Sequence, residues 1–308
     1  MAAAESVVTT SLTVGTFTPS FLIELARRDG RFAAAGLDVT EAAVSSSPQQ
    51  FRSLAAGEYD VIFTNPDNVV AYQFLSDNPL GQTMPLRVMA GIDRGLGLGL
   101  FRGPEVAEPV HAGRLGVDVA GSGFAFVAYE ILARHGVALS DISIETLGAT
   151  PKRVDALVRG ECDYTILNAG NDLRAVAQGC VAVAAVTEVG PYLGTVLAAL
   201  DTTQPRVLEA QDRLRDVLRD TIEEVRTRRR DDEVVSIVAP LLHLSDADAR
   251  RHLDCIHDPS TGIVAGALVD RASMETIVAL RRRHRPSDQL DAVGDGWTSL
   301  VDPEVLVG

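Results

Sequence analysis

Residues 12–17 alternate apolar with small or polar positions and carry β-branched side chains, which predicts a strand. Thr18-Pro19-Ser20 then opens a helix to about Arg28, because Pro suits a first helical turn and Ser or Thr a cap. A strand over 37–44, a helix from Ser47-Pro48, a strand over 58–64 and a helix from Asn65-Pro66 follow in the same rhythm. Another strand is predicted over 87–92. The glycine-rich run 95–100 reads as a strand crossing between lobes, its glycines allowing a bend. Strands over 115–119, 142–147 and 163–167 come next, with a helix from about Ser122 to His135; 181–187 and 195–200 read as the path back. Beyond Pro205, Val207, Leu214, Leu218, Ile222 and Val225 lie near one face of a long helix whose other face is Arg, Asp and Glu. Helices over 233–242, 246–255 and 268–285 complete the pattern. Strands alternating with helices predict an α/β fold with parallel-dominated sheets.

Two stretches match without a gap. Ser47-Pro48, Leu54, Gly57-Glu58, Asp60, Asn65 and Asn68 recur as Thr150-Pro151, Leu157, Gly160-Glu161, Asp163, Asn168 and Asn171, each displaced by 103 positions. The same offset sets Val14 on Val117, Phe21 on Phe124 and Val39 on Ile142. One unit therefore occurs twice, and the expectation is two Rossmann-like lobes joined by crossover strands. Residues 1–97 form the first part of lobe 1, 98–194 form lobe 2, and 195–308 return to lobe 1 with C-terminal helices packing mainly there. Two like lobes leave a cleft.

In open parallel sheets ligands sit beyond the carboxyl ends of the strands, where helices begin with unpaired N–H groups suited to anions. That places candidate ligand contacts at Phe17, Thr18, Ser20, Ser47, Asn65, Asn68, Arg94, Gly121, Ser122, Gly123 and Asn168. Asn65 and Asn168 stand at matched positions on opposite walls and would hold a polar ligand or cap helices. Gly121-Ser122-Gly123 reads as an anion site or a tightly turned helix entry. Arg94 would grip a carboxylate, sulfonate or phosphonate, or form a surface pair with Asp93. Glu188 and Tyr192 lie near the return crossover: Glu188 would bind an amine, act as a base or face water, and Tyr192, like Phe17, would stack on a flat ligand or fill core. Asp93, Asp118 or Glu188 becomes an acid or base if burial shifts its pKa.

Composition narrows the classes. With 308 residues, 46% of them apolar, the chain can fill two cores of ~100–150 residues each. A net charge of -14 argues against a nucleic-acid-binding surface, which needs clustered Lys and Arg. No apolar run approaches the ~20 residues that cross a bilayer. Residues 1–11 read as a short disordered lead and not as a secretory signal, so the expectation is a cytoplasmic protein, or an extracytoplasmic one had a signal been removed. Cys162, Cys180 and Cys255 offer neither a disulfide framework nor a C-x-x-C pair and read as buried small apolar residues. His252, Cys255 and His257 come nearest to a metal cluster, but His257 falls in the turn before Pro259, and no metal or cofactor is expected. The arginine runs at 228–230 and 281–283 read as charged helix surface.

Gly30, Phe32 and Gly36-Leu37-Asp38-Val39 stand as in G-x-F-x-x-x-G-L-x-V. Together with the repeated Leu, Gly-Glu and Asp positions, they resemble the type II periplasmic binding proteins, in the branch serving importers of sulfonates, nitrate, bicarbonate and thiamine precursors. The resemblance covers about residues 12–200. It implies two lobes closing on a small molecule, with contacts from Phe17 to Ser20, from around Ser122 and from the Asn65 and Asn168 turns. It also implies a monomer with an ABC permease as partner. Related desulfinases use a cysteine nucleophile, which the segment from Phe17 to Ser20 lacks, and thiamine-pyrimidine synthases use a cysteine-rich motif and an essential histidine, absent from these cleft segments. The expected function is binding of a small anionic or zwitterionic organic molecule. The alternatives are a cytoplasmic lyase or hydrolase of decarboxylase or desulfinase type on the same scaffold, and a sensor that passes closure to a partner through its helical tail.

Overall fold

A computed structural model describes residues 9–308. The N-terminal lead falls largely on residues 1–8, outside the described residues, while Thr10 and Ser11 already belong to the first strand. Strand β1 (Thr10–Thr16) passes through α1 (Phe21–Arg28) and the one-turn α2 (Arg31–Ala34) to β2 (Leu37–Ala43). Helix α3 (Ser47–Ala55) leads to β3 (Val61–Thr64), and α4 (Pro66–Phe74) to β4 (Leu86–Asp93). The chain then crosses into a second sheet: β5 (Gly99–Arg102), β6 (Gly113–Val117), α5 (Gly123–Arg134), β7 (Ile142–Thr146), α6 (Thr150–Val158), β8 (Tyr164–Leu167), α7 (Asn171–Val176) and β9 (Val181–Ala185). It returns through β10 (Thr195–Leu200) to α8 (Pro205–Arg226), α9 (Asp231–Leu241) and α10 (Asp246–His257). Short β11 (Val269–Asp270), α11 (Arg271–His284), α12 (Asp288–Val293) and β12 (Leu306–Val307) finish it.

The two large sheets are topological twins, ordered β2-β1-β3-β10-β4 and β7-β6-β8-β5-β9. In each, four strands point the same way, and the strand arriving from the other lobe inserts antiparallel between two of them. Helices α3 and α6 coincide at the 103-residue offset, as do β3 and β8, and each helix is followed by a left-handed glycine, Gly57 (φ 72) or Gly160 (φ 69). The first strands break that offset. Val14 pairs with Val61 and Leu115 with Tyr164. Val61 and Tyr164 are 103 apart but Val14 and Leu115 only 101, so Val14 matches Leu115, not Val117. A two-residue slip keeps the same face inward, which is why the hydrophobic pattern conceals it.

Several elements differ from their expected form. Pro19 lies outside α1, whose N-cap is Ser20. The glycine-rich run is a turn: Gly95, Leu96 and Gly97 have φ of 116, 47 and 83, and strand pairing resumes at Gly99. The stretch expected to begin the return path is the edge strand β9 of the second sheet. The predicted helix over 268–285 is preceded by β11, so α11 starts at Arg271, capped by Asp270.

The cores also depart from one per lobe. One cluster holds α1 and α8 to α10 against the first sheet, with Leu214, Leu218, Ile222 and Val225 of α8 essentially inaccessible, each worth roughly 1.5–3 kcal/mol in burial. A small cluster lies beneath α6 and α7. The largest runs through both lobes, from Phe51 and Tyr72 to Phe126 and Ile131, and includes Met274 and Ile277 of α11. Thus α8 to α10 pack on lobe 1 as expected, whereas α11 spans the seam.

Candidate functional site

The carboxyl ends of the parallel strands in both sheets converge on one cavity of about 110 Å³. That is room for roughly eight to ten water-sized groups, a small organic molecule and not a polymer. Lobe 1 supplies the segment from Thr16 to Leu22, Phe63 to Asn65, Asn68, Ile92 and Asp93. Lobe 2 supplies Asp118, Ser122, Gly123, Phe124, Thr150, Arg153, Asn168 and Ala169. The return strand and C-terminal helices close it with Gly194, Thr195, Leu242, His252 and Ile263.

The lobes are shut on each other. Ser47 donates its backbone N–H to Asp118 Oδ2 at 2.9 Å, and Ala149 donates to the Ser45 carbonyl at 3.0 Å. Asn171 Nδ2 reaches Thr18 Oγ1 at 3.3 Å. Gly123 sits so close to lobe 1 that a Cβ there would lie 2.2 Å from Asn65 Oδ1 and 2.7 Å from the Asp67 Cβ. Only a residue without a side chain lets α5 begin at that spot.

Two helix N-termini face the cavity from opposite walls. In α1 the Ser20 side chain makes no cap bond, and its backbone N–H donates to Glu41 Oε1 at 2.8 Å. Thr16 Oγ1 donates to the same Glu41 oxygen at 2.6 Å, so the loop is anchored from behind while burial raises the Glu41 pKa. In α5 the Ser122 hydroxyl accepts from the Ala125 N–H at 3.4 Å. The first-turn amides of Phe21 and Leu22, and of Gly123 and Phe124, remain at the cavity wall with the partial positive charge of their helices behind them.

The titratable residues lining the cavity are Asp93, Asp118, Arg153 and His252. Arg153 is 2% exposed, and desolvation lowers its pKa to about 10, leaving it a cation at neutral pH. It donates to the carbonyls of Gly148 (2.6 Å) and Ile166 (3.0 Å) and to Thr150 Oγ1 (3.1 Å). Its Nε has no partner, and it forms no salt bridge among the described residues. Asp118 has one oxygen on Ser47 and the other, Oδ1, without any partner. Burial raises the Asp93 carboxyl to about 6 against hydrogen bonds from Thr195 and the Gly95 N–H. Desolvation alone lowers the His252 imidazole to about 4, so it is neutral at pH 7.

Phe17, Thr18, Ser20, Asn65, Asn68, Ser122, Gly123 and Asn168, all picked out in the sequence, line this cavity. The matched asparagines differ, however. Asn65 Oδ1 caps α4 through the Asp67 N–H at 3.0 Å, and its amide donates to Tyr192 Oη and the Gly194 carbonyl at 3.1 Å each. Asn168 caps nothing, because α7 is entered through left-handed Gly170, and its amide stays on the cavity wall.

Five expected contacts lie elsewhere. Arg94 turns away to Asp270 Oδ2 (3.0 Å) and Ser273 Oγ (3.1 Å) on the C-terminal side. Its partner is therefore Asp270, neither a ligand nor Asp93. Ser47 spends its backbone N–H on Asp118. Gly121 sits behind the wall, its carbonyl accepting from Arg281 NH2 at 3.0 Å. Tyr192 is fully buried behind Asn65, where its hydroxyl orients that amide. Glu188 is half exposed at the surface, 3.8 Å from His135.

Arg153 is absent from the contacts expected from the residues, Thr150 and Asp118 enter there only through strand-end segments (Asp118 also as an acid or base), and His252 only in a metal-like cluster. A signal for Arg153 existed: the repeat sets it on Gln50, a polar helix residue just after the Ser-Pro or Thr-Pro start. His252 carried none, because its helix reaches the cleft only through tertiary packing.

No protein-family model matches the chain, and no curated protein matches it. Solved structures do. The alkanesulfonate-binding protein SsuA from Xanthomonas axonopodis pv. citri, bound to MOPS, is 15% identical with a TM-score of 0.73, covering 97% of this chain and 99% of its own. The periplasmic nitrate-binding protein NrtA from Synechocystis PCC 6803 is 13% identical with a TM-score of 0.75, covering 96% and 87%. A Candida albicans gene product with the generic periplasmic binding protein fold is 16% identical with a TM-score of 0.69, covering 95% and 96%. At these identities the likeness is one of fold: the chain has the two-lobed periplasmic binding protein fold of type II.

Proposed function

We propose that this two-lobed protein binds a small organic molecule carrying an anionic group in its inter-lobe cavity, as the solute-binding component of an ABC importer. One observation carries the reading: Arg153 is a buried cation on the cavity wall with no carboxylate paired to it. Burying an unpaired charge costs several kcal/mol, and an entering anion offsets that cost. The first turns of α1 and α5 add amide donors aimed at the same space. Closure of the lobes removes water, and each of these interactions strengthens as the local dielectric falls. The structural neighbours named for sulfonate and nitrate binding support the anion class by analogy of fold only, and the permease partner is inferred from that same analogy.

A second reading, a lyase or hydrolase on the same scaffold, draws on Asp93 and His252. A carboxyl raised to about 6 and a neutral imidazole share the cavity, as acid–base chemistry would need.

Titration calorimetry against short carboxylates, sulfonates and phosphonates separates the two. Stoichiometric heat without product supports binding, and turnover with excess compound supports the enzyme. If none of the three classes binds at millimolar concentration, the anion-binding reading is wrong.

A further inference from the structure

The cavity has more negative than positive groups of its own. Of the titratable residues that line it, Asp93 and Asp118 are carboxylates, Arg153 is the cation and His252 is neutral at pH 7. A ligand bearing only negative charge would meet Arg153 and the helix amides well and the two carboxylates badly. Like charges in a water-excluded space repel strongly.

Asp118 sharpens this imbalance. It is the first residue beyond β6, at the place that Phe17 takes beyond β1 once the two-residue slip is applied. It is 8% exposed, lines the cavity, and points Oδ2 across the cleft to the Ser47 N–H at 2.9 Å. Its Oδ1 has no donor anywhere among the described residues. An unpaired carboxylate oxygen in such a position lacks an N–H or O–H group. Arg153 does not supply it: the two charges influence each other but form no salt bridge. Both residues line the cavity from lobe 2, with Asp118 Oδ1 and Arg153 Nε enclosed and unsatisfied.

We infer that the ligand is a zwitterion, its acidic group meeting Arg153 and the first turns of α1 and α5 and its protonated amine donating to Asp118 Oδ1. This rests on the anion-binding reading above and adds its second half. It makes Asp118 a specificity-determining residue. Because Asp118 also accepts Ser47 from the other lobe, the amine is read only when the lobes are shut. The separation of the two charges beyond ion-pair reach calls for a short carbon chain between amine and acid.

The test is titration calorimetry on the full chain with matched pairs differing only in the amine: β-alanine and propionate, taurine and ethanesulfonate, γ-aminobutyrate and butyrate. In at least one pair the amine-bearing compound should bind at least about tenfold more tightly. Asp118→Asn keeps an acceptor for Ser47 but loses the charge. It should reduce that ratio to below about threefold, because the amine-bearing compound loses its acceptor while the compound without the amine, relieved of one repelling carboxylate, binds as well or more tightly. Equal binding of both members to the wild type overturns the zwitterion and leaves the anion-binding reading standing. Absence of binding by every compound overturns both. If Asp118→Asn does not fold, the wild-type ratios decide alone.

Discussion

Gln50 and Arg153 occupy the same place in the two halves of the protein. Gln50 Nε2 donates to the Phe63 carbonyl at 2.9 Å and Arg153 NH2 to the Ile166 carbonyl at 3.0 Å, and both donor and acceptor are displaced by the repeat offset. The shared bond ties a helix to the end of the strand that follows it. What differs is charge, which one half carries to the cavity and the other does not. Arg153→Gln should therefore retain the structural bond and the fold. Removing an unpaired buried cation should leave unfolding free energy within about 2 kcal/mol of wild type, or raise it. Affinity for an anionic ligand should fall by roughly a hundredfold or more. Urea unfolding and calorimetry on one preparation would read both, and a variant that binds anions normally would discredit the proposed role.

The pH dependence of stability should contain two opposed contributions from the cavity. Asp93 titrates at about 6 when folded, against ~3.9 when unfolded. Its contribution is thus fully present below about pH 4 and lost as pH rises through 6. His252 titrates at about 4 when folded, against ~6.5 when unfolded. Its contribution is present above about pH 6.5 and lost as pH falls through 4. In Asp93→Asn only the histidine effect remains, and stability should drop by up to roughly 3 kcal/mol between pH 6.5 and 4. In His252→Gln the slope over that window should reverse. Urea midpoints across the window would show these trends, and parallel curves for all three proteins would contradict them.

Gly123→Ala places a methyl group where Asn65 Oδ1 would be 2.2 Å away. Backbone near Gly123 and the cap of α4 must separate, and the lobes cannot shut fully. Ligand affinity should fall more than about tenfold, as expected when a closed state is penalised by over ~1.4 kcal/mol. X-ray scattering in the presence of ligand should report a larger radius of gyration than wild type. An unchanged radius and affinity would mean that closure does not depend on this contact.

Arg281 ties the seam together. It is 2% exposed, pairs with Asp67 through two contacts of 2.6 and 2.7 Å, donates to the Gly121 carbonyl, and lies 4.9 Å above the Phe126 ring. Arg281→Met leaves Asp67 as a buried, unpaired charge and should cost about 3–5 kcal/mol. The double variant Arg281→Met, Asp67→Leu should recover most of that loss. Equal destabilisation by the single and double variants, measured in urea, would show that packing over Phe126 matters more than charge.

Much of this architecture was legible from residues alone. The Ser-Pro and Thr-Pro helix starts, the paired glycines at Gly57 and Gly160 and the matched asparagines report local backbone demands, and those demands repeat with the fold. They located the wall segments around Ser20, Asn65, Ser122 and Asn168 because helix N-termini at strand ends are set by short-range geometry. Arg94 and Glu188 lie away from the cavity for the opposite reason. Their long side chains choose among partners brought from elsewhere: Arg94 pairs with Asp270, and Glu188 stands half exposed near His135.

What the chain's own order determined is therefore the duplicated α/β unit, its strand and helix limits to within a few residues, and the end of each sheet where a ligand space opens. Tertiary structure alone decided that Asp118 Oδ1 and Arg153 Nε, in two residues that line the cavity, were left without partners, and that His252 was delivered there by a helix distant in sequence. Backbone hydrogen bonding and hydrophobic periodicity act over a few residues and are written locally. The satisfaction of a buried charge depends on every group packed around it, and that is known only once the chain has closed on itself.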